Sequence, residues 1–153
     1  MKFETNVNLS QKSIDNLIKD IEKYQKELKA SKQAILEALA EYTQERARYH
    51  LETSLLHPET STGNLSNSIN IEYYSEEYAK VYTDMFYSAF VEFGTGVRGM
   101  ESGYDETMFG SIPYDESFTK GQSAHRYMYN AVLDLKQNYI TIAKRVLKER
   151  GLI

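Results

Sequence analysis

An α+β fold is predicted for this 153-residue chain, on three observations. Apolar residues recur at helical spacing through the first third. They alternate with polar ones at residues 69–74. Helical spacing then returns over residues 128–146. The predicted architecture is a long N-terminal amphipathic helix or helix pair, a small antiparallel sheet with a short helix, and a long C-terminal helix packed on the sheet. One domain over 1–153 is expected, divided into a helical arm (1–57), a hairpin plus short helix (59–96), a Gly-rich acidic loop (97–123) and a C-terminal helix (124–150).

In the arm, Ile14, Leu17, Ile18, Ile21, Tyr24 and Leu28 form one stripe, and Ala34, Ile35, Ala38, Leu39 and Tyr42 a second. Ser10 or Ser13 can cap the start. No Gly or Pro interrupts residues 1–57, so one helix or two are both allowed, and His57-Pro58 ends the run. Residues 59–68, ETSTGNLSNS, read as a polar loop. Ile69, Ile71 and Tyr73 alternate with Asn70, Glu72 and Tyr74 as a strand, Ser75-Glu76-Glu77 reads as a turn, and Tyr78–Thr83 returns. Asp84 can cap a short helix whose apolar face is Phe86, Ala89, Phe90 and Phe93, with Gly94 as its stop. Residues 94–121 hold six of the eight Gly and read as a long loop, with a short strand or hairpin around Met108–Ile112. Met128, Val132, Leu135, Tyr139, Ile142 and Val146 mark the last helix, which Gly151 closes.

Composition narrows the functional classes. Zero Cys excludes a disulfide framework, a thiol nucleophile and any Cys-bound metal, and a reduced, cytosolic setting is the simplest expectation. No run of about 20 apolar residues is present to span a bilayer, and no apolar leader opens the chain. The net charge is −4, but unevenly spread: 0 over residues 1–56, −8 over 57–121 and +4 over 122–153. The acidic middle and basic end are either solvated faces of one monomer or complementary surfaces that meet head to tail between subunits.

The search for catalysis is empty. GTGVRG at 94–99 lacks the Lys-Ser/Thr of a phosphate loop, and no Gly-x-Ser-x-Gly elbow or His-Glu-x-x-His pattern occurs. His125 with Glu92 and Asp84 is the one combination worth weighing as a metal site, and nothing in its spacing demands a metal. No catalytic, cofactor-binding or metal residue is assigned. Lys136, Lys144, Arg145 and Lys148 could bind nucleic acid by charge, and the 13 Tyr suit either half-buried packing or an assembly surface.

Two stretches carry a resemblance: STGNLSNSI (Ser61–Ile69) and YSAFVEFGTG (Tyr87–Gly96). Together they resemble the tail-completion or head–tail joining (neck, minor tail) proteins of long-tailed double-stranded-DNA phages and prophages. The C-terminal helix departs from that pattern, because Arg126 and Asn130 in RYMYNA stand where the family usually has Pro. The resemblance implies a non-enzymatic structural protein that needs no cofactor. It further implies a ring, six-fold in expectation, at the head-proximal end of a tail tube. Its partners would be other copies of itself, tail-tube and head-side connector proteins, and passing DNA held without specific binding, with no membrane. The protein would wait in the bacterial cytoplasm before joining the virion neck. The motif residues are Thr62, Gly63, Leu65, Ser68, Phe90, Glu92, Phe93, Gly94 and Thr95. Gly63 would allow a turn, Leu65 anchor it, Phe90 and Phe93 pin the short helix on the sheet, and Glu92 and Thr95 bond across to Thr62-Gly63. Asp105, Glu106, Asp115 and Glu116 would line the lumen and repel phosphate. The alternative is a regulatory or adaptor module that binds a partner through its N-terminal helices.

Overall fold

The computed structural model describes residues 10–54, 62–103 and 121–153. Its elements are α1 (Gln11–Thr53), α2 (Asn64–Asn67), β1 (Asn70–Tyr73), β2 (Ala79–Tyr82), α3 (Ser88–Phe93), α4 (Gly96–Glu101) and α5 (Tyr127–Glu149). The predicted α+β class is the one observed.

The arm is a single helix of 43 residues, about 65 Å long at 1.5 Å per residue. Ser10 stands just before it, its carbonyl accepting from Ile14 N–H at 3.1 Å. Two polar residues are buried in α1, Ser31 and Thr43. Their hydroxyls donate to the carbonyls of Glu27 and Leu39, both at 2.8 Å, so small residues can sit at a close helix contact with no polar group unpaired. The His57-Pro58 stop lies outside the described residues; the helix ends at Thr53.

α5 packs antiparallel on α1. Asp134 near its start meets Arg46 and His50 late in α1, while Leu147 near its end lies beside Ser31 and Ile35. Residues 11–24 of α1 therefore run on past the end of α5. Ala47 and Ala131 are fully buried, and these small side chains let the helices approach. The core joins them to Leu51, Leu65, Ile69 and Tyr127, with Val81, Met85, Tyr87, Val91 and Met128 packed against it. One residue of the predicted α5 stripe is misplaced: Tyr139 is exposed. The face turned to α1 runs through Ala131, Leu135, Asn138, Ile142 and Val146, and Met128 and Val132 turn instead to a groove beside the hairpin. Two packing partners have widened the apolar arc beyond one stripe. α5 closes with Leu152 N–H on Leu147 O and Gly151 N–H on Lys148 O, the bond pair of a Schellman motif.

The hairpin is antiparallel, pairing Asn70 with Tyr82, Ile71 with Val81, Glu72 with Lys80 and Tyr73 with Ala79. A two-stranded ribbon is marginal alone. This one is seated on α1 through buried Ile69 and half-buried Ile71, and its tip is tied down by ion pairs from Lys29 to Glu76 and from Lys32 to Glu77.

Three further expectations need correction. Residues 64–67, read as loop, form a helical turn whose trailing carbonyls are claimed by α1: Arg48 donates to Ser66 O (3.1 Å) and Ile69 O (2.8 Å), and Gln44 to Ile69 O (2.7 Å). Residues 96–101, also read as loop, are α4. The short helix begins at Ser88 rather than after Asp84, and two residues of its predicted apolar face point outward, Phe86 87% and Phe90 56% exposed. Met85, Tyr87 and Val91 take the core side instead. In six residues, buried hydrogen bonds outrank an apolar pattern. The Met108–Ile112 segment lies outside the described residues.

Candidate functional site

The second motif stretch ends in a junction between α3 and the start of α5. Glu92 is 5% exposed and lies on α3. Its Oε2 accepts from Met128 N–H and its Oε1 from Tyr129 N–H, each at 2.9 Å. These amides lie in the first turn of α5, where backbone donors have no intrahelical partner. Glu92 therefore caps a helix to which it does not belong, and its charge faces the positive end of that helix. The bonding is reciprocal. The Val91 and Glu92 carbonyls at the end of α3 accept from His125 N–H (2.9 Å) and Arg126 N–H (3.1 Å). Among the described residues Glu92 thus turns to α5, not to Thr62 or Gly63 as expected. Sequence alone pairs side chains that are near in motif space, and it carries no signal that a residue 36 positions away supplies the amides.

Thr95 does not reach the Thr62-Gly63 turn either. It forms a bridge with Gln122: Thr95 N–H donates to Gln122 O (2.7 Å), and Gln122 N–H donates to Thr95 O (3.1 Å) and Oγ1 (2.9 Å). The strands approach so closely that a Cβ on Gly121 would lie 1.8 Å from Thr95 O. Gly94 has φ +80°. Nearby, Ser102 Oγ accepts from Ala124 N–H (3.0 Å), and Arg126 Nη2 donates to Gly103 O (3.0 Å). Arg126 itself sits at φ +56°, a value closed to Pro, whose ring holds φ near −65°.

The first motif stretch is held by α1. Gly63 (φ +69°) opens α2, Thr62 Oγ1 accepts from Asn64 N–H at 3.5 Å, and Leu65 is buried in the core. Ser66 Oγ donates to Glu52 at 2.8 Å, and the Ser68 and Thr83 hydroxyls lie 2.6 Å apart, tying the turn to the end of β2. The two motifs meet through the α1–α5 core between them. Phe93 is half-buried and lines a groove of about 410 Å³ with Val81, Tyr82, Met128 and Val132. Phe90 pins nothing; it faces out. Asp105, Glu106, Asp115 and Glu116 lie outside the described residues.

Sequence analysis also missed a buried-edge cluster on the far side of the core. Asp134 accepts from Arg46 Nε (2.5 Å) and lies 2.7 Å from His50 Nε2. Burial opposes the Asp134 charge, but these hydrogen bonds outweigh it and hold its pKa below the usual carboxylate value. Arg46 also stacks 4.3 Å above the Tyr49 ring. The i, i+4 pairing of Arg46 and His50 was visible, but their common carboxylate was not.

His125 packs into the junction. Its Nε2 lies 2.8 Å from Gln122 Nε2 and its Nδ1 2.8 Å from Ser54 Oγ, which donates to Leu51 O at 2.9 Å. With Gln122 donating, the network assigns the proton to Nδ1. Burial lowers the His125 pKa below 6.5, with Glu92 opposing. Burial also pushes Tyr127 up to about 12, helped by Glu92 and opposed by its hydrogen bond to Ser88. For His125 the unfolded chain takes up the proton first as pH falls. Stability held above pH 6.5 is therefore lost as the pH drops toward the folded value. His125→Gln is expected to flatten the stability–pH slope just below pH 6.5; an unchanged slope in denaturant titrations would remove His125 as its source. Among the described residues no three His, Asp or Glu side chains gather as a metal would require, and Asp84 is exposed away from the junction. No described helix is long and apolar enough to cross a membrane.

The model of the HK97-gp10-like family, described as "Bacteriophage HK97-gp10, putative tail-component", matches residues 15–94, just over half of the chain. The chain belongs to this family. The match runs from the first turn of α1 to Gly94 and takes in both motif stretches. Among curated proteins and among solved structures, nothing matches at a significant level. Family membership gives the chain a structural role as a phage tail component, and with it a place in the virion tail.

Proposed function

We propose that the chain is a tail-completion subunit that assembles as a ring, six-fold in expectation, at the head-proximal end of the tail tube and joins tail to head without catalysis. The observation that carries this reading is the family match over residues 15–94, which contains the Gly63–Ser68 turn and the Glu92–Gly94 helix end. The junction geometry is consistent with a load-bearing part: α1, the motif turns and α5 are stitched by buried backbone and carboxylate hydrogen bonds, which hold subunit shape under force better than apolar contact alone. Its partners in this reading are further copies of itself, tail-tube proteins and head-side connectors, with DNA passing through unbound. Electron microscopy of particles made without this gene tests it. DNA-filled heads beside separate tails are expected; joined, intact virions would overturn the reading.

A second reading, an adaptor that grips a partner helix, is favoured by one observation, the exposed apolar stripe on the first twenty residues of α1. Joined virions in the same experiment would move it to first place. For the acidic segment the proposal is a lumen that repels phosphate, since residues 57–121 carry a net −8. Charge reversal at Asp105, Glu106, Asp115 and Glu116 is expected to slow DNA delivery while particles still assemble. Delivery at the normal rate would take the segment off the channel.

A further inference from the structure

The most conspicuous unpartnered surface is the free end of α1. Ile14, Leu17, Ile21, Tyr24 and Leu28 step by three and four, and the same steps continue into Ser31 and Ile35, which meet Leu147 of α5. The stripe is thus a continuation of the α1–α5 interface, left uncovered because α5 ends there. Leu17 is 54% and Leu28 49% exposed. Among the described residues no other element covers it, and α1 holds no Gly or Pro at which the helix could turn back on itself.

The same chain carries a second uncovered face of matching dimensions. On α5, opposite the side packed on α1, Leu133, Lys136, Ile140 and Ala143 repeat the steps of three and four, and the row ends before Leu147, which itself meets α1. Leu133 and Ile140 are exposed, Ile140 by 52%. Residues 14–24 and 133–143, the parts of the two rows clear of the α1–α5 contact, each span about 15 Å of helix. The charges agree as well. Asp20 flanks the arm stripe on one side with Glu27, whose carboxylate lies 3.9 Å from Lys23, while Lys19 and Lys26 fall on the opposite face; the α5 stripe carries Lys136 and is flanked by Lys144.

We infer that the free N-terminal third of α1 docks along the outer face of α5 in a second copy of this chain, head to tail. The inference rests on the ring reading above and supplies its contact. Each copy donates one arm and accepts one, a heterologous contact that closes into a ring when the rotation per subunit divides the circle.

The absence of native Cys makes the test clean. Ile21→Cys and Ile140→Cys, both at exposed positions, are introduced into the full chain singly and together. A short bismaleimide, whose reach tolerates the unknown register, is then applied to purified protein and to isolated tails. The expected result is a ladder of linked dimers, trimers and larger species only when both cysteines are on one chain, and dimers when the two single variants are mixed. Asp20→Lys with Glu27→Lys should abolish the ladder, and adding Lys136→Glu with Lys144→Glu should restore it. Dimers from Ile21→Cys alone would overturn the inference in favour of arm-on-arm pairing, and no linkage in either sample would overturn it outright. The ring reading is scored separately: the chain present in tails but never linked removes this contact alone, whereas the chain missing from tails removes the ring reading.

Discussion

Gly94→Ala is expected to cost about 4 kcal/mol or more and to leave the chain unfolded or aggregated at 37 °C. Two independent penalties combine. At φ +80° and ψ −175° the backbone lies in a region open essentially only to Gly. A Cβ there would also sit 2.4 Å from Gln122 O and 2.8 Å from Ala124 N, both backbone atoms that cannot swing aside. Relief would require opening the Thr95–Gln122 bridge, which aligns the segment leading into α5. The check is a chemical denaturation midpoint against wild type. A loss under about 1 kcal/mol would mean that the bridge yields freely and that the junction is not rigid.

Glu92→Ala is expected to cost about 2–3 kcal/mol, because it strips acceptors from two buried amides and removes a charge from the N-terminus of α5. Glu92→Gln should lose roughly half as much, since its amide oxygen still accepts one bond while its NH₂ faces the other donor. Hydrogen exchange at Met128 and Tyr129 should rise in both variants, with amides near Val146 unchanged unless unfolding becomes global. Equal exchange in wild type and Glu92→Ala would show that the cap contributes nothing. If the proposed tail-joining role holds, particles made with Glu92→Ala should also join heads poorly at elevated temperature, because α5 carries the face offered to the next subunit.

Much of the fold was legible because its signals are local. The period of three and four over residues 14–55 needs only the chain itself, as does the alternation at 69–74 and the Gly94 and Gly151 stops. The absence of Gly and Pro permitted one long helix without requiring it; what decided the point is α5 and the hairpin, which brace the helix beyond residue 29. The candidate site was legible only by residue type. Glu92, Gly94, Thr95, Gly63 and Leu65 were singled out, yet the partners assigned to Glu92 and Thr95 were wrong. Those partners, Met128, Tyr129 and Gln122, lie 27 to 37 residues away and are backbone groups, to which every residue type contributes alike. Arg46, His50 and Asp134 escaped notice for a similar reason, since a carboxylate 84 residues away leaves no trace in spacing.

The facing of α3 shows where local pattern ends. Phe86, Ala89, Phe90 and Phe93 form a good amphipathic stripe, and a longer helix would have buried it. In six residues only the Phe93 end of that stripe turns in, because the end of α3 is bonded to the segment before α5 and Glu92 must reach two amides. By itself, the sequence determined the α+β class, the helical arm with its apolar stripe, the hairpin, the glycine stops and the two family motifs, because each follows from neighbours a few residues apart. Only the tertiary structure decided which faces are covered, that Glu92 caps α5, that Phe86 and Phe90 face out, and that residues 11–24 of α1 reach past every described element, because burial and hydrogen-bond satisfaction are settled between segments and not within them.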